Sequence, residues 1–307
     1  MRYWTGTTDI RLNGPSAVTL GKFDGIHRGH QKLVRRVVEA GSQGMQSVVF
    51  TFDMFPVTVV TGRIQKTIVT NEERKMNLEG MGVDCLIEYL FTPEISHMAP
   101  ERFIKEVLVD RLNARLVVVG PDFHFGYRRA GDCELLLRYA SEYGYRVEIE
   151  SKLRDDKREI SSTYIREQLA QGHIEKANEL LGYPYFIHGK VLHGKSLGRT
   201  LGLPTINLAP PESKLLPPNG VYVSETTIEG RLYQGITNIG RKPTVGEDNP
   251  VGVETHLFDC SADLYGKTAD VRLYHFCRPE RKMGSVEELR QTIENDVQIG
   301  KKYFIEM

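Results

Sequence analysis

Residues 21–30 read GKFDGIHRGH, which puts two histidines and three glycines at the junction of a strand and a helix. Just before it, residues 17–20 (AVTL) are a short apolar run that predicts a buried strand. Just after it, residues 31–40 (QKLVRRVVEA) carry Leu33, Val34, Val37 and Val38 at helical spacing and stop at Gly41, which predicts a helix. The stretch is therefore a β-to-α loop. A helix N-terminus offers unpaired backbone N–H groups and a partial positive charge to an anion. Gly21 and Gly25 let a phosphate approach the backbone closely, with Phe23 and Asp24 between them. His27 and His30, three apart across the first turn, can face one phosphate and donate hydrogen bonds that strengthen as negative charge builds in a transition state. A solvated HxxH turn and a zinc pair are the competing readings, and the zinc pair lacks further ligands at suitable spacing nearby.

Outward from this loop, strand and helix patterns alternate through the first 180 or so residues. Residues 46–52 (QSVVFTF) read as a strand, Thr70 with Glu73 as a capping box opening a helix that ends near Gly80 or Gly82, and residues 83–89 as a strand. Pro100 starts a helix with Phe103, Ile104, Val107, Leu108 and Leu112 on one face, followed by an apolar strand at 115–120. A helix over 132–143 and a strand over 145–150 complete the series. This alternation predicts an α/β domain: a Rossmann-like parallel sheet with helices on both faces and ligands at the carboxyl ends of its strands, where Gly21 and Gly120 lie.

The loop over 121–132, PDFHFGYRRAGD, has the mixture an adenosine pocket needs. Asp122 can accept from a ribose hydroxyl or an amine, Phe123 and Phe125 can stack, and Gly126 lets the chain turn; two core aromatics on a turn are the plainer alternative. Further on, ISSTYIREQL places Ser161, Ser162 and Thr163 where a helix begins, and a hydroxyl N-cap accounts for one of the serines.

Near Gly182 the character changes, setting domains at 1–182 and 183–307. Helical segments at 164–171 and 174–181 give way to candidate strands at 185–192, 220–227, 231–239, 253–258 and 271–276, with Glu229–Gly230 as a hairpin turn. An amphipathic helix over 286–304 follows, which predicts a small β-barrel with a terminal helix. Residues 189–196, GKVLHGKS, match the P-loop pattern by letter only. The intervening KVLH reads as strand, and LGRTLGLP holds two glycines and a proline where a P-loop needs a helix. Gly194, Lys195 and Arg199 instead form a cationic loop able to cover a nucleotide, with a surface turn as the alternative. Thr205 and Asn207 alternate to one face of an extended segment, two hard oxygen ligands suited to a Mg²⁺ that also holds ATP phosphates.

Taken together, these stretches resemble a known family. GKFDGIHRGH is similar to the (H/T)xGH signature of the nucleotidyltransferases, and in its fuller form GxFDGxHxGH to the adenylyltransferase module of prokaryotic FAD synthetases. Residues 117–126, VVVGPDFHFG, resemble that module's second motif, with Asp122 at the Asn or Asp contacting the nucleotide. ISSTYIR resembles the element that closes on the triphosphate, which implies Ser162 or Ser161 and Arg166 at the leaving group, where an arginine fork suits pyrophosphate. Residues 198–208, GRTLGLPTINL, resemble the riboflavin kinase signature GRxLGxPTxN, implying Thr205 and Asn207 as Mg²⁺ ligands. In the same family's order come GVYV at Gly220, GITNIGRKPTV at Gly235 with Asn238, Arg241 and Pro243, and VETHLFD at Val253. Glu254 falls at the catalytic base, able to take the proton of an attacking hydroxyl, with a surface glutamate as the plain alternative. RPERKMGSVEEL from Arg278 resembles the terminal helix, with Met283 where Phe is usual. One departure stands out: FDMFP at 52–56 has Met54 and Phe55 where the family has Pro and His.

The resemblance implies a bifunctional flavin enzyme. Its second domain phosphorylates riboflavin from ATP, and its first joins the FMN to AMP, giving FAD and pyrophosphate. A monofunctional kinase with a weakened adenylyltransferase module, as the Met54–Phe55 departure suggests, and a flavin-binding RNA regulator are the alternatives. Forty basic and forty acidic residues cancel, which counts against nucleic acid as a partner, and the resemblance implies small-molecule substrates, riboflavin, FMN and ATP. Cys85, Cys133, Cys260 and Cys277 are dispersed without a CxxC pair, so reduced thiols are expected. No signal-peptide or membrane-length apolar run is found, so a cytoplasmic protein is expected. A monomer or weak homo-oligomer is the separate expectation for assembly.

Overall fold

The computed structural model describes residues 1–53, 65–156, 158–193, 205–241, 251–281 and 283–307. These form two compact units, Met1–Ser161 and Ser162–Met307.

In the first unit, six parallel strands stand in the order β1-β4-β3-β2-β5-β6. They are β1 (Arg2–Thr7), β2 (Ser16–Leu20), β3 (Gln46–Phe52), β4 (Cys85–Tyr89), β5 (Ala114–Val119) and β6 (Arg146–Ile149). Helix α1 (Arg28–Glu39) buries Gln31, Val34 and Val37, and α2 (Asn71–Gly80) carries the expected capping box between Thr70 and Glu73. Val34 and Leu78 pack on Val49 and Leu86, while Val37 packs on Ala17, Leu116 and Val118. The opposite face of the sheet, Val18, Phe50, Ile87 and Val117 among others, packs against Ile104, Leu108 and Leu136. Helices therefore cover both faces, as the alternating pattern predicts.

Two elements differ from expectation. The helix starting at Pro100 is α-helical only over Pro100–Arg102 (α3) and continues as a π-helix over Phe103–Arg111. Its i→i+5 bonding, with Leu112 N donating to Val107 O at 3.0 Å, suits apolar residues spaced as Phe103, Val107, Leu108 and Leu112. Strand β1, unanticipated because RYWTGT shows no apolar alternation, lies at the edge of the sheet. Helix α4 (Cys133–Tyr143) is capped by the Asp132 carboxylate, and a short hairpin pairs β7 (Arg154–Asp155) with β8 (Arg158–Glu159).

The second unit opens with α5 (Ser162–Ala170) and α6 (Ile174–Leu181), the latter ending at left-handed Gly182. Six antiparallel strands follow: β9 (Phe186–Lys190), β10 (Thr205–Leu208), β11 (Gly220–Ile228), β12 (Arg231–Arg241), β13 (Val251–Leu257) and β14 (Thr268–Pro279). Their order is β10-β13-β12-β11-β14-β9, and an antiparallel bridge from Leu192 to Asn207 joins the two ends into a small barrel. Glu229 (φ 48°) and Gly230 (φ 78°) make the hairpin turn between β11 and β12. The terminal helix α7 (Val286–Glu306) lays Ile293 and Val297 on Val221, Ile236 and Phe258.

Candidate active sites

The first site stands where the sheet changes direction. β2 and β5 are neighbours from which the chain departs to opposite sides, so the loops after them, at Gly21 and Gly120, flank the crevice in which such sheets bind ligands. His27 is the N-cap of α1, and its Nδ1 accepts from the His30 backbone N–H at 3.3 Å. That bond places the proton of a neutral His27 ring on Nε2. The His30 ring stacks on His27 with centroids 3.7 Å apart and planes at 19°, and lies 5.2 Å from the Phe23 ring. Burial pushes His27 down to about 4. Burial and then the charge of His27 hold His30 well below the ordinary imidazole range. Both rings are neutral near pH 7, so they stack without repulsion and act as hydrogen-bond donors rather than cations. Among the described residues no group of three or more His, Cys, Asp or Glu side chains could hold a metal ion.

The turn itself is strained. Gly25 (φ 88°) takes a left-handed conformation at little cost, but Phe23 (φ 47°) and Ile26 (φ 39°) take it too, and a β-branched residue there needs strong support. Both are fully buried. The Asp24 carboxylate accepts from Ile68 N at 2.7 Å, Gln31 Nε2 donates to Ile26 O at 3.0 Å, and Gly21 N donates to Phe50 O at 3.2 Å. Phe23 and Asp24 thus shape the turn from within. A Cβ on Gly29 would meet the His27 ring at 3.2 Å and the Ile160 carbonyl at 3.8 Å, so the chain reaches Ser161 beside this turn. Ser162 and Arg166 fall on α5, in the second unit.

After β5, the side chain of Asp122 is exposed and its Oδ2 lies 3.1 Å from Lys152 Nζ, which also meets Glu159 Oε2 at 2.8 Å. Phe123 and Phe125 stack on each other at 5.5 Å, but Phe125 is buried against Phe103, leaving the half-buried Phe123 as the more accessible ring. Gly126 adopts φ 72°, and a Cβ there would come within 2.8 Å of Pro100 Cα. Gly126→Ala is therefore expected to destabilise the first unit by about 2 kcal/mol or more, read as a lower melting temperature with the barrel transition unmoved.

Acid should loosen the same unit. His27 binds its proton at about 4 when folded and near 6.5 when unfolded, so between these values the unfolded chain holds more protons. Stability then rises with pH across that window, is complete above about 6.5, and is lost as pH falls toward 4, on the order of 3 kcal/mol from His27. Melting curves from pH 4.5 to 7.5 check this, and a His27→Gln variant should flatten the dependence.

In the second unit, Asn207 on β10, Glu254 on β13 and Asn238 on β12 are register partners, forming one row across three strands. Thr205 Oγ1 donates to Glu254 Oε1 at 2.7 Å. The barrel supports this row from behind. Thr237 Oγ1 hydrogen-bonds Ser224 Oγ at 2.7 Å and shares a bond with Thr255 Oγ1 at 2.8 Å, all three fully buried. Hydroxyls here satisfy one another and hold β11, β12 and β13 in register. Arg241 ends β12. Gly194, Lys195, Arg199, Pro243 and the Met54–Phe55 departure lie outside the described residues, whereas Asp53 accepts from Phe91 N at 3.0 Å. Lys152 and Arg74, both tied to the first site's loops, were not singled out in the sequence. Each sits in a charge-rich segment that reads as a solvated face.

A turn at the end of a strand in a parallel sheet, and a Thr–Asn–Glu cluster on an antiparallel six-stranded sheet, stand in two units whose sequences match a nucleotidyltransferase and a kinase. Residues 9–164 match the FAD synthetase family and residues 181–304 the riboflavin kinase family. The chain belongs to the bifunctional riboflavin kinase/FMN adenylyltransferase family. It is 35% identical to the enzyme of that description from Listeria monocytogenes over 305 residues, covering 98% of this chain and 96% of the relative. It is 37% identical to the Bacillus subtilis enzyme over 295 residues, covering 94% and 92%. A solved structure described as a macrolide-efflux protein from Streptococcus pneumoniae superposes with a TM-score of 0.86 at 30% identity, covering 97% of this chain and 98% of that one. Among the described residues no helix is long and apolar enough to cross a membrane. Neither a kinase lacking the second activity nor an RNA regulator is favoured by these relatives.

Proposed function

We propose that the two activities divide at Gly182, with residues 1–182 transferring AMP to FMN and residues 183–307 phosphorylating riboflavin. The carrying observation is that each side holds its own phosphate-handling constellation, the stacked His27–His30 pair and the Thr205–Glu254 hydrogen bond. The end of α6 at Gly182 and the start of the riboflavin kinase match at 181 support the boundary, whereas α5 and α6 pack with the second compact unit, which begins at Ser162, and the FAD synthetase match ends at 164.

In the kinase step, the primary hydroxyl of riboflavin attacks the γ-phosphorus of ATP and ADP leaves. Thr205 occupies one oxygen of Glu254, leaving Oε2 to take the hydroxyl proton. Thr205, Asn207 and Glu254 supply hard oxygen donors of the kind Mg²⁺ prefers, and the Thr205 hydroxyl, its proton given to Glu254, keeps lone pairs for a cation. Thr205 and Asn207 would hold Mg²⁺, which when bound neutralises charge on the ATP phosphates. Gly194, Lys195 and Arg199 would cover those phosphates, and Asn238 and Arg241 would orient the substrates.

In the adenylyl step, the FMN phosphate attacks the α-phosphorus of a second ATP and pyrophosphate leaves. The N-terminus of α1 and the neutral His27 and His30 donors stabilise charge on the α-phosphate, while Asp122 and Phe123 contact the adenosine and Ser161, beside the turn, the departing pyrophosphate. No covalent enzyme intermediate is needed. The chain would act in the cytoplasm as a monomer or weak homo-oligomer. Incubation with riboflavin, ATP and Mg²⁺, with flavins separated over time, should show FMN rising before FAD, and both products absent when EDTA replaces Mg²⁺. FMN that accumulates without any FAD would remove the adenylyl assignment.

A further inference from the structure

The strained turn that presents His27 and His30 is held by contacts from outside it, and one of them comes from a buried ion pair to which neither catalytic step assigns a role. Arg74, on α2, is 2% exposed, and Glu88, near the carboxyl end of β4, is fully buried. Arg74 Nε donates to Glu88 Oε1 at 3.0 Å, and Arg74 Nη2 also reaches the same oxygen. Tyr3 on β1 donates to the other oxygen of Glu88 at 2.6 Å. The third nitrogen of the guanidinium, Nη1, points the other way and donates to the backbone carbonyl of Lys22 at 3.4 Å. Thr51 Oγ1, from β3, lies 3.5 Å from that same carbonyl.

Lys22 is the second of two residues between the end of β2 and Phe23, whose φ of 47° begins the left-handed path of the turn. A carbonyl fixed there sets the plane of the peptide entering Phe23, and Phe23 in turn packs against the His30 ring. The neighbouring contact from the same side, Ile68 N to the Asp24 carboxylate, fixes the next residue but one. Burying a charged pair is costly and adds little net stability compared with apolar side chains of the same size. The pair is therefore poorly explained as a device for holding the fold alone. A guanidinium has the rigid fork of donors needed to hold a carboxylate and a carbonyl at once, which an ammonium lacks.

We infer that Arg74, held by Asn71 and by a Glu88 that Tyr3 anchors, is a positioning residue for adenylyl transfer, setting the geometry of the turn that carries His27 and His30 through the Lys22 carbonyl. The inference rests on the reading of that turn as the adenylyl site. Arg74 touches no reacting group and acts only through the backbone it orients, so its loss should lower kcat more than it raises KM for ATP.

Two variants test this. Arg74→Lys keeps a cation opposite Glu88 but cannot also reach the Lys22 carbonyl with fixed geometry. The triple variant Arg74→Met, Glu88→Met, Tyr3→Phe replaces the whole buried cluster with apolar groups of similar size and leaves no orphaned charge. Riboflavin phosphorylation in the same molecule serves as the internal control. The expected result is a drop of at least tenfold in kcat for FAD formation from FMN in Arg74→Lys, with unchanged FMN formation and shifted imidazole NMR signals of His27 and His30. The triple variant should show the same loss at a melting temperature near that of the parent. Full adenylyl activity in Arg74→Lys, or in a folded triple variant, overturns the inference. If the triple variant does not fold, Arg74→Lys alone decides. Should His30→Ala leave FAD formation intact, the reading of the turn fails instead, independently of Arg74.

Discussion

Replacing His30 with Ala is expected to lower FAD formation from FMN and ATP by about 10² or more while leaving riboflavin phosphorylation at the parental rate. The size follows from what the ring does in place. It is neutral, packed between His27 at 3.7 Å and Phe23 at 5.2 Å, and its Nδ1 is buried with no hydrogen-bond partner among the described residues. Its donor strength therefore comes from a preorganised position in a site of low polarity, where one hydrogen bond to developing phosphate charge is worth several-fold more than in water. Truncation removes that donor and one half of the stack that orients His27. His30→Gln retains an N–H donor on a flexible stem and should recover part of the rate. Equal loss of both activities in His30→Ala would mean that the turn serves the whole chain and not one reaction. Because both imidazoles are depressed, the parental rate of FAD formation should show no inflection from them between pH 6 and 8.

Much of this was legible in the sequence, for identifiable reasons. The capping box at Thr70 and Glu73 and the turn at Glu229 and Gly230 are local signals, set by residues that satisfy or bend the backbone within four positions. The grouping of Thr205 and Asn207 followed from strand alternation within one segment and Glu254 from resemblance, and the register of β10 with β13 brings them together. The spacing of His27 and His30 predicted a shared face, but their stacking and burial depend on Phe23 and the strained turn, which spacing does not encode. Edge strand β1 has no alternation to read because one side of it meets solvent in an irregular pattern. The Arg74–Glu88 pair was hidden by the opposite problem. NEERKMNLEG reads as a solvated helix face, yet Glu88 inside the apolar run CLIEY is a carboxylate in an internal strand, which requires a cationic or hydrogen-bonding partner.

Glu254→Gln should produce the reverse of the histidine effect, with FMN formation reduced by about 10² to 10³ and FAD formation from supplied FMN unchanged. The substitution is close to isosteric. A glutamine carbonyl can still accept the Thr205 hydroxyl proton, so the 2.7 Å bond survives. The buried hydroxyls of Ser224, Thr237 and Thr255 behind the strand are untouched, so register and barrel stability are preserved. What disappears is the negative charge and the lone pair that accepts a proton as the riboflavin hydroxyl becomes a nucleophile. A glutamate that merely stabilised the row through hydrogen bonding would be replaced by glutamine with little loss. Retention of FMN formation within a few-fold of the parent, at an unchanged melting temperature, would therefore remove Glu254 from the base role and leave the Thr205–Asn207 pair to act on phosphate alone. The expected loss in kcat with little change in KM for riboflavin instead ties the carboxylate to the transfer step, since an interaction made only in the transition state lowers kcat without weakening substrate binding.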